Sequence, residues 1–348
     1  MPTLNLKLKK AGRRSYEIFI EKGAIKLLPK YLKENSVGKS YAIITDTTVQ
    51  KLFGNSLQKL LKRNGIKSEI ITFPQGEKSK RMSTIKSMAE EMVRKGFTRK
   101  DAVIAIGGGV TGDMGGFLAS VYMRGIPYIH IPTTLLAMVD SSIGGKTGVD
   151  LPSGKNLIGT ITQPKAVFID TSCMKNFPEK HLINGIGEVI KYGAIMDKKL
   201  FKFLEQNHSE IMKRNPKALA YLITKSVQDK CKVVKRDEIE KGYRMILNYG
   251  HTYGHALERL SNFKLLHGHA ISIGMVIANQ IAVEQGILKE KAAARIKDLL
   301  KLYGLPVLTM KKLTPCDIAS DKKREGDHIN MVLPKKIGKH CIYKQKCT

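Results

Sequence analysis

From Ser15 onward, short apolar runs alternate with stretches whose apolar residues recur at helical spacing. The candidate strands are Ser15 to Ile20, Tyr41 to Thr45, Ser68 to Phe73, Ala102 to Ile106, Tyr128 to Pro132 and Ala166 to Ile169. Between them lie helix-like stretches from Val49 to Asn64, from Met82 to Lys95, and one beginning near Gly112. Such alternation predicts a mostly parallel sheet with helices on its faces. After about Asp170 the pattern changes to helices separated by short breaks, with turns such as Gly304-Leu305-Pro306. The expected architecture is a Rossmann-like α/β nucleotide-binding domain over 1–170 and an all-α domain over 171–348. Neither an internal repeat nor a low-complexity linker is visible, so the halves are expected to pack around a shared cleft.

Composition narrows the class. A chain of 348 residues with 42% hydrophobic content can fill two ordinary cores. No apolar run reaches the length needed to span a bilayer, and Met1 to Arg14 is polar and alternating, so neither membrane insertion nor secretion is expected. The five cysteines (Cys173, Cys231, Cys316, Cys341, Cys347) are scattered and form no CxxC pair, which argues against a disulfide framework or a cysteine zinc site and for a reducing cytoplasm. Sixty Lys and Arg against thirty Asp and Glu give a net charge of +30, a field that attracts any polyanion. The lysines are spread over the whole chain and tryptophan is absent, so this charge reads as a solvated surface that also draws in an anionic substrate, with no specific nucleic-acid partner.

Two segments carry phosphate-binding chemistry. Gly107, Gly109 and Gly112 stand in GxGxxG spacing between a buried-strand pattern and a helix. Glycines there let the backbone approach a pyrophosphate, whose charge meets the free N–H groups of the helix start. The acidic residue usually found about twenty positions later is missing. Asp46 at a strand end and Glu77 after Pro74-Gln75-Gly76 are the alternatives for a ribose, against the plainer reading of a cap or turn residue. The second segment runs from Pro132 to Gly159 and is dense in glycine and hydroxyl residues, with Lys146 and Lys155 as cations for an anionic ligand. It reads as a long polar loop. Its Gly-Gly-Lys-Thr lacks Walker A spacing because residue 140 is Asp.

Metal chemistry is concentrated further on. His251 and His255 are four apart on one helical face, and His267-Gly-His269 follows one helix and turn later. Neutral imidazoles suit zinc and similar ions, a catalytic site needs three protein ligands, and Glu188 offers a carboxylate.

Together these segments resemble the 3-dehydroquinate synthase family of NAD- and metal-dependent cyclases. The resemblance is carried by GGGVTGD at 107–113, YMRGIPYIHIPTTLLAMVDSSIGGKTGVD at 122–150, GKNLIG at 154–159 and NGIGEVIKYG at 184–193. RMILNYGHTYGHALE at 244–258, HGHAISIGM at 267–275 and DKK at 321–323 complete it. It implies that Glu188, His251 and His267 hold zinc or cobalt, and that NAD lies against Asp46, Glu77, Lys80, Gly108, Gly109, Val110, Asp113, Thr133, Thr134, Asp140, Ser141 and Lys155. For a small sugar-acid phosphate it implies Asp140, Lys146, Asn156, Lys191, Lys230, Arg244, Asn248, His255 and one of Lys322 and Lys323. Of these, Lys146, Lys191, Arg244, Asn248 and His255 are the expected catalytic residues. Arg124 resembles the family arginine that reaches into a partner's site, which implies a homodimer. The reaction implied is conversion of 3-deoxy-arabino-heptulosonate 7-phosphate to 3-dehydroquinate and phosphate, with NAD required but not consumed. One departure stands out: the family commonly has His-Gly-Glu where this chain has His267-Gly-His269. Related alternatives are cyclases making deoxy-inosose or valiolone, whose substrates lack a carboxylate, and polyol or glycerol phosphate dehydrogenases.

Overall fold

The computed structural model describes residues 3–6, 15–262, 264–309, 324–325 and 328–346. The chain divides into two units, Met1–Phe177 and Pro178–Thr348.

The first unit contains β1 (Thr3–Leu6), β2 (Tyr16–Glu21), β3 (Tyr41–Asp46), β4 (Ser68–Phe73), β5 (Ala102–Gly107), β6 (Tyr128–Pro132), β7 (Lys146–Leu151), β8 (Gly154–Ile161) and β9 (Ala166–Asp170). Seven of these form one sheet in the order β1-β2-β9-β6-β5-β3-β4. All six expected strands are present and parallel, with β1 added antiparallel at the edge. Their near-continuous apolar character follows from burial on both faces. On one face Ile43, Ile104 and Phe168 meet Leu28 and Tyr31 of the helix Leu28–Asn35 and Leu57 and Leu61 of the helix Asn55–Arg63. On the other, Ala42, Ile44, Val103 and Ala105 meet Ile85 and Met88 of the helix Met82–Arg94 and Met114 and Phe117 of the helix Gly109–Val121. The helix after β3 and the helix after β5 therefore cover opposite faces. The strand order reverses between these two adjacent strands, which is where such sheets open a crevice at their C-terminal ends.

The polar segment 132–159 is more ordered than a loop. Its second half is an antiparallel hairpin of β7 and β8, closed so that Leu151 pairs with Gly154. Glycine content hides the strand alternation here, but it is what lets the strands pass: a Cβ on Gly159 would lie 2.0 Å from the Thr147 carbonyl oxygen.

The second unit is helical, as the change of pattern after Asp170 predicts. Its long helices are Glu179–Ile195, Pro216–Arg236, His251–Leu260, His267–Glu284 and Glu290–Leu302. It also holds one element that an all-helical reading does not include, a sheet of β10 (Arg324–Glu325), β11 (His328–Lys336) and β12 (Lys339–Lys346). β11 buries Ile329, Met331, Val332 and Leu333, while lysine-rich β12 carries little apolar signal in its sequence. Among the described residues, no helix is long and apolar enough to cross a membrane.

Candidate active site

Within the first unit, the expected cofactor residues collect at the C-terminal ends of β3, β4, β5 and β6. Gly108 caps the helix Gly109–Val121 with extended backbone and no side chain, which leaves the first helical N–H groups open to an anion. The Thr133 N–H donates to the Gly107 carbonyl at 2.9 Å and pins the end of β6 to the glycine turn. A Cβ on Gly108 would lie 3.1 Å from Thr134 Cγ2, and one on Gly109 3.3 Å from Ser141 Oγ, so both side chains border the turn. Ser141 Oγ is buried and has no hydrogen-bond partner among the described residues. Val110 packs on the core beneath.

The third glycine of the motif has a different task. An ideal Cβ on Gly112 would lie 2.2 Å from His130 Cε1, so glycine lets the helix settle on the sheet. Burial holds His130 neutral, pushed down to about 4.

Asp46 does what a strand-end aspartate ordinarily does: its Oδ1 accepts from the Thr48 and Val49 N–H groups, both at 2.9 Å. Only that oxygen is used, and Oδ2 takes no hydrogen bond among the described residues. Lys80 is 4% exposed and donates to Asp113 Oδ2 at 2.6 Å and to Asn156 Oδ1 at 2.5 Å. Burial opposes its charge, but Asp113, Glu77 and Asp150 outweigh burial and raise it above the usual lysine range. Glu77 pairs with Lys155 at 3.5 Å. Residues expected for NAD and Asn156, expected for substrate, thus form one charged cluster. Asp140 lies in the irregular helical turn Ala137–Ser141, and Lys146 is exposed at the start of β7. Met123 and Arg124 both have positive φ (48° and 66°), a sharp kink that ends the helix Gly109–Val121.

In the second unit, three helices converge. Glu188, fully buried on Glu179–Ile195, lies with Oε1 3.2 Å from His251 Nε2 and 3.1 Å from His267 Nε2. Lys191, one turn on, pairs with Glu188 Oε2. Burial opposes the Glu188 charge, yet Lys191 and the imidazoles hold it well below the usual carboxylate range. Burial also lowers His251, with Lys191 adding to it, whereas Glu188 and Glu258 overcome burial at His267 and raise it to about 10. His255 adds a third ring, 5.3 Å from His251 and 6.0 Å from His267 between centroids.

These helices can meet because they cross on glycine. A Cβ on Gly268 would lie 1.9 Å from the Asn184 carbonyl oxygen, and one on Gly274 1.9 Å from that of Gly250. Gly250 caps His251–Leu260 at φ 77°, a conformation suited to glycine. The Asn184 side chain accepts the Gly268 N–H at 2.7 Å, holding the helix end that bears His267.

The donor set fits a divalent ion: one atom from each of Glu188, His251 and His267, all within 4.8 Å of one another, two nitrogens and one oxygen of the kind zinc and cobalt accept. Elsewhere in the unit, Lys230 (4% exposed) and Arg244 (2% exposed) are buried cations. Arg244 Nη1 donates to the Glu238 carbonyl at 2.6 Å, and Asn248 Nδ2 to Glu240 Oε1 at 3.4 Å. Lys322 and Lys323 lie outside the described residues.

Residues 70–184 match the 3-dehydroquinate synthase N-terminal family, and residues 185–324 the 3-dehydroquinate synthase C-terminal family. The chain belongs to the 3-dehydroquinate synthase family. A 3-dehydroquinate synthase of Thermodesulfovibrio yellowstonii is 44% identical over 333 residues, 94% of this chain and 93% of that one. Two solved structures in the same fold are 29% identical. One is a 2-deoxy-scyllo-inosose synthase complexed with carbaglucose-6-phosphate, NAD+ and Co2+ (TM-score 0.89, covering 99% of this chain and 95% of that one). The other is a 2-epi-5-epi-valiolone synthase from Streptomyces hygroscopicus with NAD+ and Zn2+ bound (TM-score 0.87, 97% and 94%).

Two features of the site lie within the stretches that carry the family resemblance but are given no role by the sequence reading. One is Glu258, whose Oε2 lies 3.3 Å from His267 Nδ1. Its spacing of seven from His251 and three from His255 is the signal that could have found it. The other is the set of crossing glycines, which carries no local pattern.

Proposed function

We propose that this chain carries out its family's reaction, converting 3-deoxy-arabino-heptulosonate 7-phosphate to 3-dehydroquinate and phosphate with NAD and one zinc or cobalt ion. The observation that carries the reading is the convergence of Glu188, His251 and His267 in a chain 44% identical to a 3-dehydroquinate synthase. When bound, the ion supplies Lewis acidity toward a substrate hydroxyl, and NAD supplies a reversible two-electron oxidant.

The chain's own groups do the rest. The helix start at Gly108–Val110 receives the pyrophosphate, and Ser141 Oγ and Thr134 border it. Asp46, through Oδ2, accepts from a ribose hydroxyl, while Lys80, Asp113, Glu77 and Lys155 shape the charged rim. By resemblance, the groups for the anionic substrate are Asp140, Lys146 and Asn156 of the first unit and Lys191, Lys230, Arg244, Asn248 and His255 of the second. Holding both ends of one small molecule makes its later steps intramolecular. Lys230 and Arg244, both buried, are by resemblance the cations for the carboxylate that the substrates of the deoxy-inosose and valiolone synthases lack.

With the heptulosonate phosphate, catalytic NAD and Co2+ or Zn2+, the purified protein should release one phosphate per substrate without net NADH. Accumulating NADH would make it a dehydrogenase. Turnover only of a hexose phosphate lacking a carboxylate would make it a different cyclase.

The same proposal includes a homodimer in the cytoplasm. β8 directs Ile158 to the core and Thr160 to Ser120 (2.8 Å), while Leu157 and Ile161 face outward. Val121 (45%) and Met123 (49%) are exposed at the adjoining helix end, beside the kink that sets Arg124. A second copy would bury this apolar patch. Sedimentation should give a dimer for the parent and a monomer for Met123→Lys combined with Leu157→Lys; an unshifted dimer rejects the patch as its interface. Among the described residues, Cys173, Cys231 and Cys341 are free thiols, which suits a reducing compartment.

A further inference from the structure

We propose that Glu258 is a positioning residue for the metal ligand His267, setting which ring nitrogen carries the proton and how the ring is turned. The inference rests on the metal reading above. Glu258 lies on the helix that carries His251 and His255, and is only 3% exposed. The two nitrogens of His267 face two different carboxylates: Nε2 is 3.1 Å from Glu188 Oε1, and Nδ1 is 3.3 Å from Glu258 Oε2. An ionised carboxylate can only accept a hydrogen bond. With Glu258 on Nδ1, that nitrogen keeps its ring hydrogen, so the proton an incoming ion displaces is the one on Nε2, which faces Glu188.

His251 is set the same way by a weaker partner, since its Nδ1 faces the Tyr249 carbonyl at 3.1 Å. Both imidazoles therefore direct Nε2 to the point that Glu188 Oε1 addresses. The two acceptors differ in charge. A backbone carbonyl only fixes the tautomer, whereas the buried Glu258 carboxylate also makes the His267 lone pair more basic and the ligand stronger.

The residue at 269 does not share this work, because His269 Nε2 is buried with no hydrogen-bond partner among the described residues. The anionic partner of His267 comes instead from the neighbouring helix, nine positions back in the chain.

The test is Co2+ affinity of the metal-free protein, measured by chelator competition for the parent, Glu258→Gln and Glu258→Leu. The visible spectrum of bound Co2+ and the melting temperature without metal are recorded alongside. Affinity should fall about 10- to 100-fold in Glu258→Leu. Glu258→Gln should lose less, because its amide oxygen still accepts from Nδ1–H, and both should show an altered Co2+ spectrum. A purely structural glutamate would lower the metal-free melting temperature but leave the affinity and spectrum of the folded protein alone, and that result overturns the proposal. If Glu258→Leu does not fold, the same comparison between the parent and Glu258→Gln decides. A parent that binds neither Co2+ nor Zn2+ overturns the metal reading, and this proposal with it.

Discussion

Glutamine at position 188 is expected to weaken Co2+ or Zn2+ binding by roughly a hundredfold or more, since a ligand itself should matter at least as much as the outer partners worth 10- to 100-fold. Phosphate release should fall with it. Glu188 is fully buried and serves two masters: Oε1 faces both histidines, and Oε2 holds the buried Lys191 ammonium. Removing its charge breaks the buried pair with Lys191, an effect typically of about 3–5 kcal/mol. The variant should therefore also melt well below the parent without metal. Combining Glu188→Gln with Lys191→Met separates the two losses. The double variant should regain much of the stability, because an apolar side chain tolerates the site, yet bind metal no better than the single one. Undiminished Co2+ affinity in Glu188→Gln would remove Glu188 from the ligand set.

Alanine at position 274 is expected to do the opposite of what it does in an ordinary helix. Gly274 lies inside His267–Glu284, where exchange of glycine for alanine normally gains about 0.5–1 kcal/mol. Here the new Cβ would stand 1.9 Å from the Gly250 carbonyl oxygen and 2.9 Å from the Gly254 nitrogen, and neither backbone atom can rotate aside. The helices must separate. Overpacking of this kind usually costs about 1–3 kcal/mol, and a backbone contact places the change at the upper end. The consequence reaches the site, because His251 follows Gly250 directly while His267 starts the other helix. Gly274→Ala should lower both the melting temperature and the affinity for Co2+, although it touches no ligand. A melting temperature equal to or above the parent's would mean that the crossing can relax, and that the glycines do not set the cage.

The two sites differ in how far local sequence reveals them. The glycine turn is legible because everything it needs is contiguous: an apolar strand, GxGxxG and a helix. The pair His251 and His255 is legible for the same reason, as a four-residue spacing on one helix. Glu258 completes that face at a spacing visible in the sequence, but a carboxylate on a helix has many ordinary uses, and only the approach of His267 gives it this one. The segment 132–159 reads as a loop because glycines and hydroxyls mask an alternation that inter-strand pairing makes plain. β12 escapes a hydrophobic reading because an edge strand paired on one side can be mostly lysine and polar residues.

Sequence alone determined the alternation of strands and helices, the phosphate-binding turn, the kinds of metal-ligating residue and, by resemblance, the family. Those properties rest on local periodicity and on residue types at short spacing. Tertiary structure decided that Glu188, His251 and His267 share one point, that Asp46 keeps one oxygen open, and which carboxylate faces His267 Nδ1. Each of these depends on how separate elements pack, and at the helix crossings that bear Glu188, His251 and His267 the close approach is allowed by the absence of side chains at Gly187, Gly250, Gly268 and Gly274.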